Sequence, residues 1–453
     1  MQHGRKRLRE KQPPDLHLHL IPEGTPARSS YGSAKTVLKT DIRLFTMKTS
    51  ASFISLALAF TLLGSSCNQK IDDPVFDYNL KSAKVIETNN DFGLELFKKV
   101  VENEEQSNLM ISPASVSIAL GMAYNGAETT TRDAFEEVLN YEGLTREEVN
   151  EITRELINVL LTNVKGNLLE IANSMWYDKG FPVEPEFISL NSTYYDAEVR
   201  ELDFGSADAV KAINDWVSSK THGKIDEIID AIDPATMMIL INAIYFNCVW
   251  DEEFDPDDTG RQNFYREDGS RWGYVDMMHI MSTFNVSFQD GYTAVELPYK
   301  NGKFSMYLFL PDKEISVDAL IEELDGPTWN SWLKGFSERE KFNVSMPRFQ
   351  FEYDRSLADD LKSMGLEVAF DSQEADFSGI SPIDLFIADV IHLTYIKVNE
   401  EGTEAAAVTA VVMQATAIMT NEIILDRPFL FAITENSSKS ILFMGKVAEP
   451  AYE

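Results

Sequence analysis

The sequence predicts a single large α+β domain, and three observations carry that prediction. Helical periodicity gathers early in the chain and strand-like runs dominate its second half. Several of those runs are apolar on both faces, as in sheets covered on two sides. From about Val85 onward no linker exceeds a loop, so a length of 453 residues, which alone would suggest about three domains, reads as one fold behind an N-terminal preamble.

The preamble has separate parts. Residues 1–46 are basic, contain proline and show no period, which reads as upstream sequence with Met47 as the true start. Residues 47–66 then run from Lys48 through the apolar FISLALAFTLL to small residues before Cys67, the layout of an export signal and too short for a comfortable membrane span. The ending LLGSSC resembles a bacterial lipobox, which implies cleavage before Cys67 and acylation of that residue. Lys70-Ile71-Asp72-Asp73 resembles the surface-export signals of Bacteroidetes lipoproteins. Residues 67–84 therefore read as a lipidated cysteine and tether, and the protein as an exported outer-membrane or cell-surface lipoprotein facing outward.

Helical pattern follows in order. Asn90 is placed to cap a helix with Phe92, Leu96 and Val100 on one face. Ser112-Pro113 sets a capping hydroxyl before a first-turn proline, and ASVSIALGMAY then runs to a stop at Gly126. Further amphipathic stretches lie at 130–139, 147–164, 208–220 and 317–334. Between and after them, runs such as LLEIANSMWYD, MMILINAIYFNCVW, KFSMYLFLPD, FNVSMPRFQFEYD, DVIHLTYIKV, EIILDRPFLFAIT and ILFMGKV are rich in β-branched and aromatic residues and read as strands.

Composition excludes several functions. With 40 basic and 73 acidic residues the formal charge is -33. Ten of the basic and four of the acidic residues precede Cys67, leaving 30 against 69 beyond it. Nucleic acid, heparin-like polyanions and electrostatic membrane docking are disfavoured accordingly. Two cysteines cannot make a disulfide framework, and His222, His279 and His392 are the only imidazoles after Cys67. No GxSxG, HExxH, P-loop or GxGxxG pattern is present, so neither an enzyme nor a metal or organic cofactor is expected. Met277, Met278 and Met281 around His279 read as core, and Cys248 as a small buried hydrophobe.

One segment is unlike the rest. Residues 400–420, EEGTEAAAVTAVVMQATAIMT, hold no Lys, Arg, Pro or aromatic. The many β-branched residues stand against a helix. At period two, Thr403, Ala405, Ala407, Thr409, Val411 and Met413 make a small-then-larger apolar face, and the alternate set contains Glu404 and Gln414. A strand with that pattern would insert well between two others.

These residues resemble the serpins, and the likeness covers essentially all of 85–450. GTEAAA (402–407) resembles the family's hinge, LDRPFLFAI with ILFMGKVAEP its C-terminal signature, NAIYF followed by Trp250 the strand leading to the upper opening of the sheet, and ISPASVSIALGMAYNGA its second helix. INDWVSSKTHGKI and VDMMHIM fit the pattern as well. The resemblance implies a serpin fold: one domain with a large central sheet, two smaller sheets, about nine helices and an exposed reactive-centre loop at about 400–426. It also implies a suicide-substrate inhibitor, in which a protease cleaves the loop, is held as an acyl-enzyme and is trapped when the freed segment enters the central sheet.

Carried over residue by residue, the likeness makes Glu400, Gly402, Thr403, Glu404, Ala405, Ala406 and Ala407 the hinge, and Ser112, Ser115, Asn242 and His392 a polar shutter under the sheet's opening point. Trp250 and Arg348 fall at the upper breach. Arg348 would pair with Glu400, an interaction worth about 0–1 kcal/mol if exposed. The family's usual spacing, counted from Gly402, implies an attacked carbonyl at Thr416, and counted back from Pro428 implies Ala417, with Ala415 and Ile418 as neighbours. Small neutral residues there suit an elastase-like serine protease, held in a covalent complex with a monomeric inhibitor; cysteine proteases with broad subsites remain open. The alternatives are a non-inhibitory serpin fold serving binding or chaperoning, and an unrelated surface lipoprotein with enzymatic activity. A hinge free of proline favours the inhibitor.

Overall fold

The computed structural model describes residues 79–162, 165–403 and 421–452. The leader, the signal, Cys67, the tether up to residue 78, and the loop residues Glu404, Ala405, Ala406, Ala407, Thr416 and Ala417 lie outside the described residues. The first half of the domain holds α1 (Leu80–Asn103), β1 (Leu109–Ile111), α2 (Pro113–Tyr124), α3 (Thr129–Val138), α4 (Arg146–Leu161), β2 (Asn167–Asp178), α5 (Pro185–Tyr194), β3 (Glu198–Leu202) and α6 (Asp208–Lys220). There follow β4 (Met238–Val249), β5 (Gly260–Tyr265), β6 (Arg271–Gln289), β7 (Tyr292–Pro298), β8 (Phe304–Pro311), α7 (Val317–Glu322) and α8 (Gly326–Lys334). The chain closes with β9 (Ser337–Pro347), β10 (Phe349–Ser356), α9 (Ala358–Leu361), β11 (Ile391–Val398), β12 (Gly402–Thr403), β13 (Glu422–Ile424), β14 (Phe429–Glu435) and β15 (Ile441–Val447).

Local chemistry sets most of the boundaries. The first helix starts earlier than its apolar period indicates, because Asn79 accepts from the backbone N–H of Lys81 and Ser82 while the Ser82 hydroxyl bonds back to the Asn79 backbone. Residues 80–84, read above as the end of the tether, are therefore helical. Asn90 lies inside α1 instead of capping it; its amide donates to Lys439 O and its carbonyl accepts from Ile441 N, tying the helix to β15. The stretch 317–334 is two helices, because Asp325 caps a new one at Gly326-Pro327. Likewise FNVSMPRFQFEYD turns from β9 into β10 at Arg348, and EIILDRPFLFAIT breaks between β13 and β14.

Among the described residues the strands form two sheets. Nine belong to one, in the order β1-β15-β14-β8-β7-β6-β9-β13 with β5 on β6. The 19-residue β6 pairs with β5, β7 and β9, which joins the two smaller expected sheets into one hydrogen-bonded surface. The other is six-stranded, in the order β10-β11-β12-β4-β2-β3. A continuous apolar core spans both sheets, with Phe246, Ile396, Phe349 and Phe431 among its buried members.

The six-stranded sheet has one discontinuity. β4 pairs with β2 along Met238–Cys248 and β11 pairs with β10 along its whole length. Among the described residues, β4 and β11 share no register with each other; the two-residue β12 joins them at one corner, through Val398↔Thr403 on one side and Thr403↔Cys248 and Gly402↔Val249 on the other. On the far side of β10, a buried clip anchors the sheet. There Arg355 donates to Asp360 (2.8 and 3.1 Å) and to Glu104 (3.0 Å), and the Tyr353 hydroxyl donates to Glu104 (2.9 Å). The β10–β11 half of the sheet is thus fastened to α1 and α9, whereas across the seam beside it the strand ladder is completed, among the described residues, by β12 alone.

Candidate functional site

The candidate site is the seam between β4 and β11, and it starts from a tight turn at Asn399–Gly402. The Asn399 side chain accepts from the backbone N–H of Glu401 (3.0 Å) and Gly402 (3.2 Å), and Asn399 N–H donates to Gly402 O (3.0 Å). Gly402 is required by proximity: a Cβ there would lie 2.1 Å from the carbonyl oxygen of Cys248. Phe254 N–H and Trp250 N–H donate to the carbonyls of Glu400 and Glu401, both at 2.9 Å, so the turn is stitched to the segment that follows β4.

That turn carries Glu400 inward. Its side chain is 0% exposed, while Arg348 is 16% exposed. Arg348 Nε donates to both carboxylate oxygens at 2.8 and 2.9 Å, and the Thr259 hydroxyl donates as well. The expected pair therefore forms, but buried and multiply bonded, not on the surface. Breaking such a pair by removing one partner costs about 3–5 kcal/mol, several times the exposed figure. The next carboxylate, Glu401, is partly buried, and its pKa is raised by that burial and by the neighbouring Glu253 and Glu400.

Trp250 and Tyr299 form the wall of this corner. The rings stack with centroids 4.4 Å apart and an interplanar angle of 13°. Trp250 Nε1 donates to Asn399 O (3.0 Å), and the Tyr299 hydroxyl bonds the Thr403 hydroxyl (2.6 Å). Thr403 is 3% exposed, and its only polar side-chain atom is matched to that tyrosine.

Further along the seam, the four expected polar residues come together as a chain running from one strand to the other. On the β11 side, Ser112 N–H donates to His392 Nε2 (3.0 Å), and the Ser112 hydroxyl donates to Leu442 O (2.6 Å) while capping Ser115 N–H. Toward β4, the Ser115 hydroxyl donates to Asn242 Oδ1, whose amide donates to Asn173 Oδ1 on β2 (2.6 Å). His392 thus accepts from a backbone amide, and Ser112 and Ser115 at the start of α2 form the bridge beneath the two strands. Burial pushes the His392 pKa down to about 4, so the ring is neutral and can accept.

Asn173, Thr259, Tyr299 and Asn399 were not singled out by the sequence; Asn173 is a polar side chain in a largely apolar run, which is a weak signal, whereas Thr259 and Asn399 lie in polar, acidic stretches that carry none. Cys248 is 0% exposed beside Thr403, and burial pushes its thiol up, in keeping with a core role. Met277 and Met278 are also core, but Met281 is 49% exposed and does not belong to it. His279 is held by Ser345 (2.7 Å) and Gln262 (2.8 Å), and burial lowers its pKa. Among the described residues no group of three or more His, Cys, Asp or Glu side chains is placed to hold a metal ion.

The serpin (serine protease inhibitor) family profile matches residues 87–450. An uncharacterized serpin-like protein of Methanosarcina acetivorans is 35% identical over 396 residues, covering 84% of this chain and 90% of that protein. The leukocyte elastase inhibitor of Homo sapiens is 34% identical over 375 residues, 80% of this chain and 98% of the inhibitor. Among solved structures, the native state of Tengpin, a thermophilic serpin, aligns with a TM-score of 0.73 at 33% identity, covering 81% of this chain and 94% of that one. The chain belongs to the serpin family, whose members are in general protease inhibitors and not catalysts.

The buried imidazole generates a pH prediction. As pH falls through about 6.5 the unfolded chain takes up a proton at His392, and the folded chain does so only near 4, so stability declines across that window and levels off below it. The slope from this group is up to about 1.4 kcal/mol per pH unit. Urea midpoints measured at about pH 7 and about pH 5 are expected to differ by more in the wild type than in His392→Gln. An equal difference in both would show that the ring does not titrate in this way.

Proposed function

We propose that this chain is a suicide-substrate inhibitor of serine proteases with an elastase-like preference. The observation that carries the reading is the position of β12: the chain enters the seam at Gly402–Thr403 and pairs with β4 on one side and β11 on the other. Its continuation in sequence, with Ala405, Ala407, Thr409 and Val411 at period two, has the pattern that suits the remaining edges. A target serine attacks a carbonyl at Thr416 or Ala417, the acyl-enzyme forms, and the amine-bearing segment departs. The freed loop then extends β12 down the seam, gaining ladder hydrogen bonds worth about 1 kcal/mol net each as well as apolar burial. Lengthening of β12 parts the Ser112–His392 contact from the Ser115–Asn242 contact, which is the role read for the shutter residues. No Lys or Arg lies between Gly402 and Arg427, so the loop offers no cation to a trypsin-like pocket. The likeness to a leukocyte elastase inhibitor supports an elastase-like target.

We further propose that the protein is exported and anchored by an acylated Cys67 in the outer membrane, facing outward. The support is the order of basic start, apolar run and small residues before that cysteine.

Two outcomes are expected. Incubation with neutrophil or pancreatic elastase yields an SDS-stable adduct of one protease and one inhibitor chain, whereas Thr403→Arg, which places a cation at a 3% exposed position between two strands, is cleaved without adduct. Cleavage of the wild type with no adduct would contradict inhibition. In cells of a producing bacterium, an alkyne fatty acid should label the wild type and leave Cys67→Ala unlabelled; equal labelling would remove the anchor.

A further inference from the structure

We propose that Tyr452 is a positioning residue for the loop hinge: by stacking against Arg348 it holds that guanidinium on Glu400 and sets how readily the hinge enters the seam. The residue lies in the segment after β15, which turns back across the top of β10 and β11. Asn108 grips the start of the segment, accepting from Ala448 N–H (2.8 Å) and Glu449 N–H (2.9 Å) and donating to Glu449 O (2.8 Å). Pro450 is buried, and Gln350 N–H donates to Ala451 O (2.7 Å). With both points fixed, the Tyr452 ring is delivered to one place.

At that place it meets three groups that serve the hinge. Arg348 Cζ is 5.5 Å and Lys397 Nζ 4.9 Å from the ring centroid, so two cations, one from the β9–β10 turn and one from β11, share one aromatic side chain. The hydroxyl accepts from Asn399 Nδ2 at 3.5 Å, at the limit of a hydrogen bond. Arg348 bonds Glu400, and Asn399 caps the turn that presents Glu400. Asp276, at 3.8 Å, is the other carboxylate beside Arg348 and competes for it from the surface side. The ring therefore covers the guanidinium where it would otherwise be hydrated or drawn to Asp276. Loss of the ring frees Arg348 to leave Glu400, and the turn opens more easily.

This inference rests on the reading that the seam accepts a strand, and its test separates the two. The probe is a fluorescent synthetic peptide with the sequence of residues 403–416, taken up by the full chain and followed by anisotropy. Tyr452→Leu is expected to take up peptide roughly 5- to 20-fold faster than the wild type, and Tyr452→Phe within about twofold of it, because the ring survives. Should Tyr452→Leu fail to fold, Tyr452→Met, which keeps apolar bulk but has no ring to stack on the guanidinium, should accelerate uptake by a similar factor. In an Arg348→Met background the effect of Tyr452→Leu should vanish, since there is no guanidinium left to position. Equal rates for wild type and Tyr452→Leu, or an acceleration that persists without Arg348, would overturn the proposal while leaving the inhibitory reading intact. Absence of uptake in every variant would overturn both.

Discussion

The buried bond between Arg348 and Glu400 is the constraint on which the rest of the arrangement depends. A carboxylate with no solvent exposure has to be paired, and the pairing fixes the backbone on either side of it. Glu400 lies two residues before Gly402, so its anchoring decides where the following chain is released. It is released into the corner between Val398 and Cys248, with Trp250 and Tyr299 behind it. A surface ion pair could not do this, because screening and side-chain entropy would leave it nearly neutral in energy.

From that corner the seam is asymmetric. On one side β11 belongs to a rigid unit, bonded along its length to β10, which the Arg355 clip ties to α1 and α9. On the other side β4 is continuous with β2. The start of α2 lies beneath both, with Ser112 reaching His392 and Ser115 reaching Asn242. These contacts are neutral hydrogen bonds, and neutral bonds can be exchanged for others at a net cost of about 1 kcal/mol each, whereas the charged pair at the corner cannot. The seam is thus held by one strong lock and several weak stitches, an arrangement in which a single event at the lock commits the rest.

How much of this is legible in the sequence depends on distance along the chain. Ser112-Pro113 announces α2 because a cap and a first-turn proline act within four residues. Strand runs such as MMILINAIYFNCVW are readable because side-chain alternation and β-branching are local properties. The hinge residues Glu400, Gly402 and Thr403, and the shutter set, are placed by likeness to the serpins, and for those within the described residues the structure shows which contacts they make. Burial of Glu400 is not legible, since it depends on Thr259 and Phe254, more than a hundred residues earlier. Nor is the role of the segment after β15, because nothing in Ala451-Tyr452 marks it as returning to Arg348 and Lys397. Asn90 departs from its expected capping role for a related reason: its side chain serves the β15 strand, a partner that no local window contains.

The central claim is that the edges of β4 and β11 are an acceptor for the cleaved loop. Hydrogen–deuterium exchange on the intact chain and on the elastase-cleaved chain addresses it directly, because a new strand closes both edges at once. Cleavage is expected to slow exchange across residues 239–247 and 391–397, while β14 and β15 exchange as before. If the loop is cut and the amides of both seam strands exchange unchanged, the seam does not accept the strand and the account fails.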